Sequence, residues 1–266
     1  VKDLNIIRHT FFDDIDIAKR AIGVLRKYEP ANGYYLAFSG GKDSCVIKEL
    51  AIQAEVKFDA HYSVTTIDPP EVVYFIRKFH PDVIFDRPEI PFLTKLISKG
   101  FPLRQKRWCC EYLKERCGRE RVVVTGIRRT ESFARRSREI YETFKGKTNI
   151  NPILNWSNEE VWLFIKYNNI PYCNLYDLDF SRIGCLFCPM KSPMIRKLER
   201  ERYPGYEKSF RWAFNKLYEN RLSKGKTSIL RWKNGDEMFD WWINDYKNKK
   251  AGRLRQEELF NPEVVK

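Results

Sequence analysis

No run of 18 apolar residues occurs in this chain of 266 residues, so a membrane-spanning helix is not expected. Its first residues, Val1-Lys2-Asp3-Leu4, lack the apolar centre of a secretory signal. Both absences predict a soluble, cytoplasmic protein. Internal repeats and low-complexity segments are missing as well. Histidine is scarce: His9, His61 and His80 share no ligand or triad spacing, which argues against a histidine-built metal or hydrolase centre. His61 falls in a strand-like run and reads as structural. Acidic residues are outnumbered, 35 against 49 Lys and Arg, leaving a net charge of +14. That excess points to polyanionic partners, either nucleotides or nucleic acid, without choosing between them.

A hydrophobic fraction of 43% supports one large α/β domain with a helical appendage, or two small domains. Apolar residues at helical spacing mark a helix over residues 11–28, through Ile15, Ile17, Ala18, Ala21, Ile22 and Leu25. Strand-like runs follow at 34–38, 58–64, 83–85 and 121–126, separated by helix-like stretches at 45–54, 70–79 and 91–100. This alternation predicts a doubly wound, mostly parallel sheet whose ligands bind beyond the carboxyl ends of the strands. Ser157-x-x-Glu160 has capping-box form and leads into a helix through Tyr167. Beyond Lys191 charged and aromatic residues mix, with Trp212, Phe214, Trp232, Trp241 and Trp242 among them. There, 19 basic residues face 11 acidic ones. The expected organisation is an N-terminal helical segment (1–29), a nucleotide-binding α/β domain (30–190) and a basic helical extension (191–266).

The run Tyr34-Tyr35-Leu36-Ala37-Phe38 breaks into Ser39-Gly40-Gly41-Lys42-Asp43-Ser44. Two glycines allow backbone N–H groups to turn inward, and the following helix contributes a positive N-terminus. The hydroxyls of Ser39 and Ser44 and the Lys42 ammonium complete a cradle for phosphate or pyrophosphate. The bland alternative is a Gly-Gly turn between a strand and a helix. Strand, SGG-x-DS and helix together resemble the PP-loop of ATP pyrophosphatases and sulfonucleotide reductases, and differ from the longer Walker loop.

Of seven cysteines, four form two close pairs: Cys109-Cys110, and Cys185 with Cys188 in a C-x-x-C. A disulfide framework does not suit the expected compartment. Four thiolates suit tetrahedral zinc or an iron–sulfur cluster. Adjacent cysteines diverge and make poor joint ligands for one small ion, whereas a cubane accepts both on different irons. The spacing therefore favours [4Fe–4S] over zinc, with buried reduced thiols as the alternative. Cys45, Cys117 and Cys173 read as core or surface thiols.

Cys-Cys followed by Cys-x-x-Cys resembles the cluster-binding pattern of assimilatory adenylyl-sulfate reductases, within the phosphoadenylyl-sulfate (PAPS) reductase family. Gly126-Ile127-Arg128-Arg129-Thr130-Glu131-Ser132-Phe133-Ala134-Arg135 resembles that family's G-x-R-R-x-x-S-x-x-R segment. Asn151-Pro152-Ile153-Leu154-Asn155-Trp156-Ser157, Val161-Trp162 and Ile170-Pro171-Tyr172 match further positions. The resemblance covers roughly residues 30–190 and implies a Rossmann-like PP-loop (adenine nucleotide α-hydrolase) fold. It also implies a nucleotide, ATP or adenylyl sulfate (APS) or PAPS, held by Ser39–Ser44, Gly126, Arg128, Arg129 and Arg135. Lys42, Asp43, Arg128 and Arg129 are the candidate catalytic set, with Mg²⁺ accompanying the phosphates. Arginine forks suit phosphate or sulfate in any case, against the alternative of a solvated basic turn. Asp68 falls where the family often carries a D-T-G-like signature, but Pro69-Pro70 follows here. It is a candidate ribose or metal contact, or an ordinary helix-leading Asp.

The resemblance fails at one point. Reductases of the family attack the sulfonucleotide with a cysteine in a C-terminal Glu-Cys-Gly-Leu-His tail, and no cysteine follows Cys188 here. The sequence therefore favours an adenylylating ATP pyrophosphatase, similar to those acting in DNA phosphorothioation, over a reductase whose thiol comes from elsewhere. A non-catalytic nucleotide- and nucleic-acid-binding module is the third reading. Expected partners are an adenine nucleotide, nucleic acid on the basic extension, and a sulfur donor or thioredoxin-like protein. A homo-oligomer is compatible with all three readings.

Overall fold

The architecture turns on β3 (Tyr34–Ala37), whose two neighbours both run parallel to it. A central strand of a parallel sheet is buried on both faces as well as paired along both edges, which accounts for its unbroken apolar run. The protein is seen here in a computed structural model that describes residues 7–9, 14–103 and 105–245. These fall into two units, one comprising the described residues among 1–64, 68–88 and 112–184, the other those among 65–67, 89–111 and 185–266.

The first unit holds the six-stranded sheet. Besides β3 it contains β4 (Phe58–Ser63), β5 (Ile84–Asp86), β6 (Val123–Val124), β7 (Tyr141–Phe144) and β8 (Lys147–Ile150), in the order β5-β4-β3-β6-β8-β7. All pairs are parallel except β7 with β8. That hairpin was not expected from the sequence; its turn rests on Lys145 and Gly146, at φ +52° and +73°, the signature of a tight hairpin. The expected strand over 121–126 shrinks to Val123–Val124.

A small ladder, β1 (Ile7–His9) with β2 (Asp14–Asp16), precedes helix α1 (Ile17–Lys27). The sequence reading began this helix at residue 11. It starts later because the Asp16 carboxylate accepts the N–H groups of Ala18 and Lys19, both at 3.0 Å, and so caps it. Ile15 therefore lies in a strand, and residues 11–13 fall outside the described residues. Ile17, Ala18, Ala21 and Leu25 make the buried stripe of α1. The unit also contains α2 (Lys42–Gln53), α3 (Pro70–Phe79) and α6 (Asn158–Tyr167). The Ser157–Glu160 capping box forms as the sequence indicates.

The second unit is helical. It contains α4 (Phe92–Lys99), α5 (Trp108–Cys110), α7 (Pro193–Arg202), α8 (Pro204–Ser223) and α9 (Gly235–Asp240), followed by one wide turn over Trp241–Asp245. Proline stands at the start of α7 and α8, where its missing N–H costs nothing. Helix α9 meets α8 so closely that a Cβ on Gly235 would lie 2.3 Å from the Asn215 Cα. The interior is aromatic: Phe92 stacks on Trp108, Phe101 on Phe214, and Phe210 on Trp242. Of the aromatics noted in the basic extension, Phe214, Trp232 and Trp242 are buried, while Trp212 is exposed. Their helical spacing reflects a core. Residues 246–266 of the expected extension lie outside the described residues. No helix among the described residues is long and apolar enough to cross a membrane.

Candidate functional site

Helix α2 begins at Lys42, three residues earlier than its apolar pattern suggests, with Gly41 as an N-cap that offers no side-chain bond. Its amino end is therefore left to other acceptors. The loop is braced internally: the Ser44 hydroxyl donates to the Gly41 carbonyl (2.7 Å), and the Gly41 N–H reaches Ser39 Oγ (3.3 Å). The Ser39 and Ser44 hydroxyls lie 3.2 Å apart. Gly40 has φ +72°, and a Cβ there would come within 2.8 Å of Val72 Cγ1. Only glycine satisfies both conditions.

Lys42 is buried, with Nζ 3.3 Å from Asp43 Oδ2. The other oxygen of Asp43 receives Arg128 Nε at 2.6 Å. Arg128, 4% exposed, is fixed further by Thr130 Oγ1 at 3.1 Å, while its backbone N–H donates to Glu131 at 3.0 Å. Gly126 explains the approach, because a Cβ there would stand 3.0 Å from the Asp43 carbonyl. Two cations thus share one carboxylate beside the amino end of α2, an arrangement whose chemistry suits an anion.

The remaining candidates are arranged differently. Arg129 donates to the Arg138 carbonyl (2.8 Å) and to Asn155 Oδ1 (2.7 Å), so its guanidinium braces the segment. Arg135 pairs with Glu131. Burial, and then the charge of Arg182, push the Arg135 guanidinium down to about 10, against the opposing charge of Asp43. It belongs to a cationic group with Arg128, Arg138 and Arg182. Asp68 is buried ahead of α3. Sequence reasoning missed Tyr176, whose hydroxyl accepts the Lys42 N–H at 3.0 Å and whose ring centroid lies 5.6 Å from Lys42 Nζ. It sits in a 3₁₀ turn 134 residues away, and no local spacing announces it. Burial raises its phenol well above the ordinary range, so it stays neutral. Arg182 was missed for the same reason.

All four predicted cysteine ligands fall in the helical unit. Cys109 and Cys110 end α5, while Cys185 and Cys188 bracket a turn; all are partly exposed. A hydrogen bond with the Cys110 thiol, then burial and the charges of Cys110, Cys185 and Cys188, raise the pKa of Cys109. Burial, with Cys185 and Cys110, raises Cys188. The charges of Cys110, Cys185 and Cys188 all bear on the Cys109 thiol. Among the described residues no three His, Cys, Asp or Glu side chains converge on one metal ion. A purely thiol donor set in two pairs fits a cluster bonded through several irons. Cys45 and Cys173 are buried in the sheet unit.

A family model described as the phosphoadenosine phosphosulfate reductase domain matches residues 33–191. An uncharacterized protein of Methanocaldococcus jannaschii is 31% identical over 220 residues, covering 71% of this chain and 53% of that protein. An adenosine 5′-phosphosulfate reductase of Allochromatium vinosum is 34% identical over 121 residues, 41% of this chain and 44% of the reductase. The chain spans about half the length of the curated relatives it matches. The crystal structure of phosphoadenylyl-sulfate reductase from Candida auris, a phosphate complex, superposes with a TM-score of 0.51 at 22% identity. It covers 68% of this chain and 98% of that one, a likeness of fold.

Proposed function

The chain belongs to the phosphoadenosine phosphosulfate reductase domain family, and we propose that it is an enzyme that binds ATP on the Ser39–Ser44 loop and transfers the adenylyl group. The observation that carries this reading is the amino end of α2, whose N-cap Gly41 supplies no side-chain acceptor, beside Lys42 and the Asp43–Arg128 pair. An acceptor oxygen attacks the α-phosphorus, its new P–O bond forming as the bond to pyrophosphate breaks. Negative charge gathers on the departing pyrophosphate, where Lys42, Arg128 and the helix end stabilise it. Asp43 positions the two cations, while Arg129 and Arg135 maintain the segment that presents Arg128. Mg²⁺ would share the pyrophosphate charge, as such substrates commonly require.

In this reading Cys109, Cys110, Cys185 and Cys188 hold a [4Fe–4S] cluster that links the enzyme to sulfur metabolism or to sulfur modification of nucleic acid. Release of pyrophosphate from ATP with adenylylation of the acceptor, abolished by Lys42→Ala and stimulated by DNA or RNA, is the expected result; no turnover with any acceptor overturns it. Anaerobic purification should give a brown protein absorbing near about 400 nm, and a colourless zinc-loaded protein would exclude the cluster. The likeness to an adenosine 5′-phosphosulfate reductase supports a second reading, a sulfonucleotide reductase with its thiol supplied by another chain. Sulfite released from adenylyl sulfate in the presence of thioredoxin would establish that reading instead.

A further inference from the structure

Between Cys185 and Cys188 the backbone adopts a conformation that glycine would normally supply. Phe187 stands at φ +54°, in the left-handed region that a bulky residue enters at a cost. Its ring is fully buried, 5.1 Å from that of Phe210, so apolar burial requires a side chain here and something else must hold the backbone. Leu186 N–H donates to the Ile67 carbonyl at 2.8 Å, and Lys191 N–H to the Cys188 carbonyl at 3.0 Å. At the centre, the Phe187 N–H donates to Glu199 Oε2 at 2.9 Å.

Glu199 projects from α7 and is wholly inaccessible. Its other oxygen meets the Nζ of Lys191, which is also buried. A buried ion pair is a poor means of gaining stability, because apolar residues of similar volume often serve as well. What apolar residues cannot do is accept the amide in the middle of a C-x-x-C.

We propose that Glu199, paired with Lys191, is a positioning residue that sets the Phe187 amide and thereby preforms the Cys185–Cys188 thiol pair for an iron–sulfur cluster. The inference rests on the reading that the quartet carries such a cluster. Outer residues of this kind govern how firmly a metal centre is held.

The test measures iron and sulfide per chain after anaerobic reconstitution, and then the rate of cluster loss to an iron chelator. Glu199→Ala should lose its cluster at least about 10-fold faster than the unaltered chain. Glu199→Gln, which still offers an oxygen to the Phe187 amide, should fall between them. The double variant Lys191→Met with Glu199→Leu separates positioning from general stability. It should regain thermal stability over Glu199→Ala and yet remain chelator-labile, because the amide still lacks an acceptor. A double variant that holds its cluster as firmly as the unaltered chain overturns the proposal. If the unaltered chain takes up no iron and sulfide, the cluster reading falls and this inference falls with it.

Discussion

The sheet unit and the helical unit fill their interiors by different means. In the sheet unit the buried cations come with carboxylates: Arg128 with Asp43, Lys42 with the same Asp43, and Lys48 with Asp82 at 2.6 Å. In the helical unit the interior is ring against ring, through Phe210, Phe214, Phe239 and Trp242, and the Lys191–Glu199 pair lies beside the thiols. Charges held in couples near a loop are ready to meet an incoming anion without large reorganisation. Rings provide a stiff, apolar frame beside the thiols. The difference predicts that the two units respond to different perturbations.

The largest effect should come from the aromatic frame. Trp242 is 1% exposed and donates its indole N–H to the Pro102 carbonyl at 2.8 Å. Trp242→Ala should destabilise the helical unit by about 3–5 kcal/mol, measured by denaturant unfolding. Nucleotide binding by the sheet unit should persist under native conditions; its loss in parallel would show that the two behave as one cooperative whole. Next is Asp43→Ala, which leaves the buried Arg128 without its carboxylate. Breaking such a pair costs about 3 kcal/mol, and Asp43→Asn should cost less because it keeps an acceptor. Little change in either variant would remove the paired-charge half of the comparison.

How much of this was legible in the sequence differs between the two units for a physical reason. The Ser39–Ser44 loop, α3 and the α6 capping box depend on neighbours within a few residues, so glycine, proline and Ser-x-x-Glu reveal them. The Arg128 segment was legible as chemistry, but its partner Asp43 lies 85 residues away, and only the fold brings them together. Arg129 carried the same signature as Arg128, yet the Arg138 carbonyl and the Asn155 side chain occupy it. The helical unit drew its meaning from cysteine spacing. Its trespass into residues 65–67 and 89–111 depends on distant packing, which leaves no local pattern. The aromatics of residues 210–242 show helical spacing whether they face a core or a nucleic acid, so the sequence could not separate these outcomes.

A third prediction concerns pH. His80 is buried beside Lys48, whose Nζ lies 3.3 Å from Nδ1, with Asp82 on the same lysine and the Phe38 and Phe75 rings against the imidazole. Burial, then the Lys48 charge, push its pKa down from 6.5 to about 4, against the opposing pull of Asp82. The unfolded chain therefore binds a proton at His80 that the folded chain refuses between these values. This contribution is fully present above pH 6.5 and is lost as pH falls toward 4, at no more than about 1.4 kcal/mol per pH unit. His80→Gln should flatten the stability profile across that window, and an unchanged slope would assign it to other groups.

The smallest expected effect sharpens the comparison most, because it tests whether the phosphate loop is held ready for an anion. Tyr176→Phe keeps the ring, which packs edge-on to Trp162 at 5.2 Å, and removes only the oxygen that accepts the Lys42 N–H. Loss of that acceptor at the start of α2 should cost about 1 kcal/mol in the absence of ligand. A phosphate oxygen can take the same N–H, so saturating pyrophosphate should narrow the gap in melting temperature between the variant and the unaltered chain. A gap that persists unchanged would mean that the hydroxyl serves the helix alone. In that case the amino end of α2 would be closed by the protein's own tyrosine, and only Lys42 and Arg128 would be left to meet the ligand.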